Sequence, residues 1–68
     1  MKKQINIEGM SCNHCVQSVM GALMPFAIGE VDVNLEKKYA IIDTDQPDSK
    51  LAEAIEDIGF DVTTIDNL

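Results

Sequence analysis

The sequence contains no arginine and no tryptophan, only two cysteines, one histidine and three aromatic rings among 68 residues. Each scarcity excludes something. Without arginine, and with twelve acidic residues against five lysines for a net charge of −7, there is no basic patch or guanidinium fork to meet a phosphate backbone. Nucleic acid is therefore excluded as a partner. Two cysteines three positions apart close only a tiny loop, so disulfides do not hold this fold together. No apolar run approaches the ~20 residues of a membrane span. The start, Met1-Lys2-Lys3-Gln4-Ile5, reaches Glu8 without the apolar stretch of a signal peptide. The expectation is a soluble, cytoplasmic chain whose thiols stay reduced, without direct membrane insertion.

What is present must supply the core. A chain this short buries only about 60% of the surface its unfolded form exposes. Apolar residues make up 46% of it, and with only Phe26, Tyr39 and Phe60 as aromatics the interior is expected to be Ile, Val, Leu and Met. The acids keep such a protein soluble and are compatible with steering toward a basic protein surface.

Residues 4–8 alternate, with Ile5 and Ile7 on one face, and stop at Gly9, which predicts a strand. From Asn13 the spacing changes: Val16, Val19, Met20 and Leu23 form one helical stripe, which Pro25 cannot continue. Gly21 inside that helix costs ~1 kcal/mol relative to alanine, and close packing is the expected reason for it. Ile28 to Leu35 alternates again, and Tyr39-Ala40-Ile41-Ile42 gives its hairpin partner across the polar turn Glu36-Lys37-Lys38. After the loop from Asp43, Asp48 or Ser49 is the expected N-cap of a helix carrying Leu51, Ala54, Ile55 and Ile58. Gly59 is its C′ residue, and a last strand runs from Phe60 through Val62 and Ile65. The order β-α-β-β-α-β predicts an α+β, ferredoxin-like sandwich: one domain over residues 1–68, a four-stranded antiparallel sheet with both helices on one face. Chain direction reverses with each element, so the loop after the first strand, the lysine turn and the turn at Gly59 meet at one end.

Gly9-Met10-Ser11-Cys12-Asn13-His14-Cys15 lies at that end, between a strand and a helix start. Unpaired backbone N–H groups and the helix dipole stabilise thiolate there. Two thiolates separated by two residues reach one ion, and soft sulfur selects Cu(I) or Zn(II) over hard cations. Structural Zn(II) wants four ligands, whereas a two-thiolate site suits Cu(I) and leaves room for a partner's thiolate. Storage wants a closed site and transfer an open one. The same placement of C-x-x-C also serves dithiol oxidoreductases, although the chain is short for that fold and its element order differs.

Gly9-Met10-Ser11-Cys12-x-x-Cys15 after a first strand resembles the signature of the heavy-metal-associated domain family, which includes bacterial copper chaperones and the metal-binding domains of copper-exporting P-type ATPases. Val31-x-Val33-Asn34-Leu35-Glu36-Lys37 and Leu51-x-x-Ala54-Ile55-Glu56-Asp57-x-Gly59-Phe60 resemble its later elements, so the likeness runs nearly end to end. The resemblance implies Cys12 and Cys15 as ligands for one Cu(I), with Met10 packed beneath the loop and Ser11 and Phe60 beside the site. On its own chemistry, the Met10 thioether is also a soft ligand.

His14 is open between a third, weak ligand, a contact in a metal-bridged dimer of an otherwise monomeric apo protein, and an exposed bystander. Lys37 and Lys38 could offset the charge of a bis-thiolate complex, dock an acidic surface, or serve only as turn residues. The implied activity is non-enzymatic: a chaperone delivering to a copper-transporting ATPase or a copper-responsive regulator. A metal-binding regulatory domain of such an ATPase, or a carrier of Zn(II) or Hg(II), are the other readings. The start at Met1 and end near Leu68 without a linker favour a free-standing protein. Leu23 to Glu30 departs from the family pattern, and altered local geometry is expected there, far from the cysteines.

Overall fold

The computed structural model describes residues 1–68. Strand β1 (Lys2–Glu8) leads to helix α1 (Asn13–Leu23), a 3-10 turn over Met24–Phe26, strands β2 (Val31–Asn34) and β3 (Tyr39–Asp43), helix α2 (Asp48–Asp57) and strand β4 (Asp61–Asn67). The sheet order is β2-β3-β1-β4, antiparallel throughout, which is the ferredoxin-like sandwich that the element order predicts. Ile5 and Ile7 of β1, Ala40 and Ile42 of β3, Val19 and Leu23 of α1, Leu51 and Ile55 of α2, and Met10 from the first loop form one buried cluster. Both helices therefore cover one face, and the other face of the sheet carries polar side chains such as Asn6, which donates to Thr64 Oγ1 at 2.7 Å.

The element bounds differ from the expectation where a charge or an irregularity hides the pattern. Strand β1 begins at Lys2 because Lys3 continues the buried register of Ile5 and Ile7: its side chain is nearly covered and its Nζ meets Asp48 Oδ1 at 2.5 Å. That pairing also changes the start of α2. Neither Asp48 nor Ser49 caps it; Pro47 occupies the N-cap position without a side-chain bond, and its carbonyl accepts from the amides of Lys50 and Leu51. Asp48 is instead the first helical residue, where a carboxylate suits the helix dipole. Strand β2 starts at Val31, not Ile28. Ile28 is exposed, and the approach is a loop in which Gly29 passes so close to Asp43 that an added Cβ would stand 2.6 Å from its Oδ2. Residues 23–30 comprise the end of α1, the 3-10 turn and this loop.

Val62 and Ile65 lie three apart yet both face the helices. A register shift opposite Asn6 and Ile7 inserts one extra residue of β4 between them, the signature of a β-bulge. Gly59, at φ +94°, ends α2 in a Schellman motif: its amide donates to the Glu56 carbonyl at 3.0 Å and the Phe60 amide to the Ile55 carbonyl at 3.3 Å.

Gly21 does not serve close packing. A Cβ built there meets no atom within 4 Å, and the residue is exposed within α1. Gly21→Ala is therefore expected to raise unfolding stability by about 0.5–1 kcal/mol, the intrinsic helix preference alone. In urea titration the midpoint rises with an unchanged slope.

Candidate metal centre

Three features of the chain converge on the cysteine loop. Glu8 ends β1 opposite Asp61 at the start of β4. The Ile7 amide donates to the Lys38 carbonyl at 2.9 Å, drawing the β2–β3 turn to the same end. The Phe60 ring lies against Gly9, with Cδ1 3.4 Å from where a Cβ would stand. Gly9 itself has φ +93°, a left-handed conformation that glycine adopts without the steric penalty of a side chain. There the chain leaves the sheet and buries Met10 completely while Ser11 and Cys12 return to solvent.

Cys12 is the N-cap of α1, in an extended conformation with φ −149° and ψ 170°. Serine, threonine or aspartate commonly fills that position. Cys15 follows in the first turn, and its Sγ stands 3.1 Å from that of Cys12. Both thiols are free, Cys12 exposed and Cys15 half-buried. The Cys15 thiol pKa is lowered, first by the Ser11 backbone N–H, then by the Cys12 thiol; partial desolvation opposes them, and the amides of Cys12 and Cys15 add smaller favourable contributions. The largest influence thus precedes the helix. Sequence reasoning named the unpaired backbone N–H groups of the loop and the helix dipole without singling out the Ser11 amide, because the path of the Ser11 backbone depends on the Gly9 turn and the burial of Met10.

A lowered thiol pKa means that thiolate persists to lower pH than in an unfolded chain. The associated stability is present above the unfolded thiol value and fades as pH falls through the folded one. Alkylation of Cys15 by iodoacetamide in the reduced apo protein is accordingly expected to titrate below the ordinary thiol value of about 8.5. In Cys12→Ala the midpoint moves part of the way back up, since the Ser11 amide remains. Peptide mapping of alkylation rates against pH reads both.

His14 is exposed and does not join the cysteines: no group of three or more His, Cys, Asp or Glu side chains is placed to hold a metal ion. Lys37 and Lys38 are exposed in the turn. The Lys37 amide donates to Asn34 Oδ1 at 3.0 Å, and Lys38 has φ +59°, a conformation that costs a non-glycine residue of order 1 kcal/mol. Sequence reasoning did not find the Glu8–Asp61 juxtaposition, which only the strand register creates. No helix is long and apolar enough to cross a membrane.

The heavy-metal-associated domain profile matches residues 4–61. The chain belongs to the heavy-metal-associated domain family. Among its relatives, the copper chaperone CopZ of Staphylococcus haemolyticus (strain JCSC1435) is 39% identical over 66 residues, 91% of this chain and 97% of that one. A solved CopZ metallochaperone superposes with a TM-score of 0.85 at 37% identity, covering 93% of this chain and all of that one. A copper-binding domain from HMA7, a P-type ATPase, gives 0.81 at 30% identity over 96% and 97% of the two chains. Free-standing chaperones and transporter domains of the family thus share this fold.

Proposed function

We propose that this chain is a copper chaperone: it takes up one Cu(I) ion as cargo between Cys12 and Cys15 and passes it to a partner protein by thiolate exchange. The observation that carries the reading is the pair itself, two free thiols 3.1 Å apart on an exposed loop with no further His, Cys, Asp or Glu gathered around them. Soft thiolates select Cu(I), and a site with two ligands leaves positions that an incoming thiolate can enter. Metal–sulfur bonds of about 2.3 Å place the sulfurs of a near-linear complex about 4–4.6 Å apart. The pair therefore opens by about 1 Å or more on loading, which exposed Cys12 permits. Met10 supports the loop from beneath, Phe60 fixes its Gly9 end, and Ser11 contributes its amide to Cys15. Lys37 and Lys38 belong to the turn that the Ile7 amide draws to the cysteine end, where their charge would offset a bis-thiolate complex of net negative charge. His14 remains a solvent-facing bystander.

Delivery to a copper-transporting ATPase or a copper-responsive regulator in the cytoplasm fits the similarity to CopZ proteins and to an ATPase domain. The transfer makes and breaks only metal–sulfur bonds, so the chain acts as a carrier rather than an enzyme. Native mass spectrometry after loading under reducing conditions tests the reading. The expected species is a monomer with one Cu(I), unchanged when Zn(II) competes. A dimer holding several ions would assign bridging roles to the thiolates and His14. A protein that remains metal-free under these conditions overturns the proposal.

A further inference from the structure

The second half of α2 breaks local electrostatic rules without an internal reason. Glu53 and Asp57 are four residues apart and Glu53 and Glu56 three apart, spacings at which like charges oppose helix formation. Glu56 and Asp57 also crowd the C-terminal turn, which holds no basic residue and where the dipole favours cations. None of the three carboxylates forms an ion pair, the molecule's two being Met1–Asp43 and Lys3–Asp48. Helix α1, by contrast, carries no charged residue. Violations of this kind mark places where a sequence serves something other than its own stability.

Two of these acids, Glu53 and Asp57, border a cleft. A groove of about 320 Å³ is lined by Phe26, Gln46, Lys50, Glu53, Ala54 and Asp57. Phe26 is presented by the 3-10 turn, which Pro25 stiffens and the Thr44 hydroxyl holds by donating to the Phe26 carbonyl at 2.6 Å. Ala54 keeps the opposite wall low. Two carboxylates face the groove against one ammonium, that of Lys50, a turn nearer the helix start.

We infer that this groove docks an arginine or lysine side chain of a basic protein partner. The aliphatic stem lies along Phe26 and Ala54, and the cation meets Glu53 and Asp57. The choice of occupant follows from charge: an aromatic surface flanked by unpaired carboxylates, on a chain of net charge −7, complements a cation carried on an apolar stem. None of the lining residues belongs to the cysteine loop and the contact involves no metal, so it stands or falls separately from the copper reading.

The test is titration of the apo, full-length, isotope-labelled protein with the peptide acetyl-Arg-Ala-Arg-Ala-Arg-amide at low ionic strength, followed by amide shifts. Shifts concentrate at Phe26, Gln46, Glu53, Ala54 and Asp57, and the citrulline analogue of the peptide produces none. Glu53→Gln with Asp57→Asn weakens binding about tenfold, whereas Glu30→Gln with Asp32→Asn, an equal charge change elsewhere, weakens it less than about twofold. The groove variant also unfolds at a temperature no lower than the parent's, because its like charges are gone. Shifts spread evenly over all acidic surfaces, equal weakening in the two double variants, or a lowered unfolding temperature in the groove variant would overturn the inference.

Discussion

Cys12→Ser and Cys15→Ser are each expected to lower Cu(I) affinity by more than about 100-fold, since removing even an outer-shell partner of a metal ligand costs 10- to 100-fold and on the proposed function these substitutions remove a ligand. Competition with a chromophoric Cu(I) chelator under reducing conditions measures the loss. The two variants separate binding from folding. Cys12 is the N-cap of α1 and makes no side-chain cap bond, a position where serine is among the preferred residues. Cys12→Ser therefore keeps or raises unfolding stability while binding collapses. Retention of parental affinity in either variant would remove that cysteine from the site.

Met10→Ala destabilises the fold by about 2–5 kcal/mol, the range for truncating a buried methionine. Met10 is fully buried against the core from a loop whose neighbours are exposed, and small domains hold only about 0.05–0.15 kcal/mol per residue in total. The variant therefore unfolds at much lower urea concentration and its loop loses its anchor. Met10→Leu decides between packing and ligation. A volume-conserving exchange costs less than about 1.5 kcal/mol, and if Met10 only packs, Cu(I) affinity stays near the parent value. A large affinity loss in a stably folded Met10→Leu would make the thioether a ligand.

Much of this was legible in the sequence because it rests on local periodicity. The stripe from Val16 to Leu23, the alternation at Ile5 and Ile7, and Gly59 as the helix stop each follow from spacing alone, and together they give the element order and thus which loops meet. Local spacing cannot show partners brought together by register. Lys3 fell outside the strand predicted over residues 4–8 because its buried place depends on Asp48, far away in sequence, and Asp48 itself is the first helical residue and not the expected cap. The spacing of three between Val62 and Ile65 breaks the alternation of two within the predicted strand, and the bulge opposite Asn6 and Ile7 accounts for it. At the cysteine end, Cys12, Cys15 and their loop were legible as a motif. The dominance of the Ser11 amide in lowering the Cys15 pKa was not, since it arises from a backbone path set by Gly9 and Met10. Gly21 shows the opposite failure: a plausible packing reason was available, and open space stands where the neighbour was expected.

On the proposed function, this chain offers Cu(I) two thiolates and nothing more. X-ray absorption at the copper edge, on the protein loaded with one Cu(I) anaerobically and freed of small thiols and phosphines, tests it most directly. Two sulfur neighbours, no nitrogen and no copper–copper vector are expected, with a spectrum unchanged in His14→Ala. An imidazole nitrogen that disappears in His14→Ala, or a third sulfur with a neighbouring copper, would contradict it.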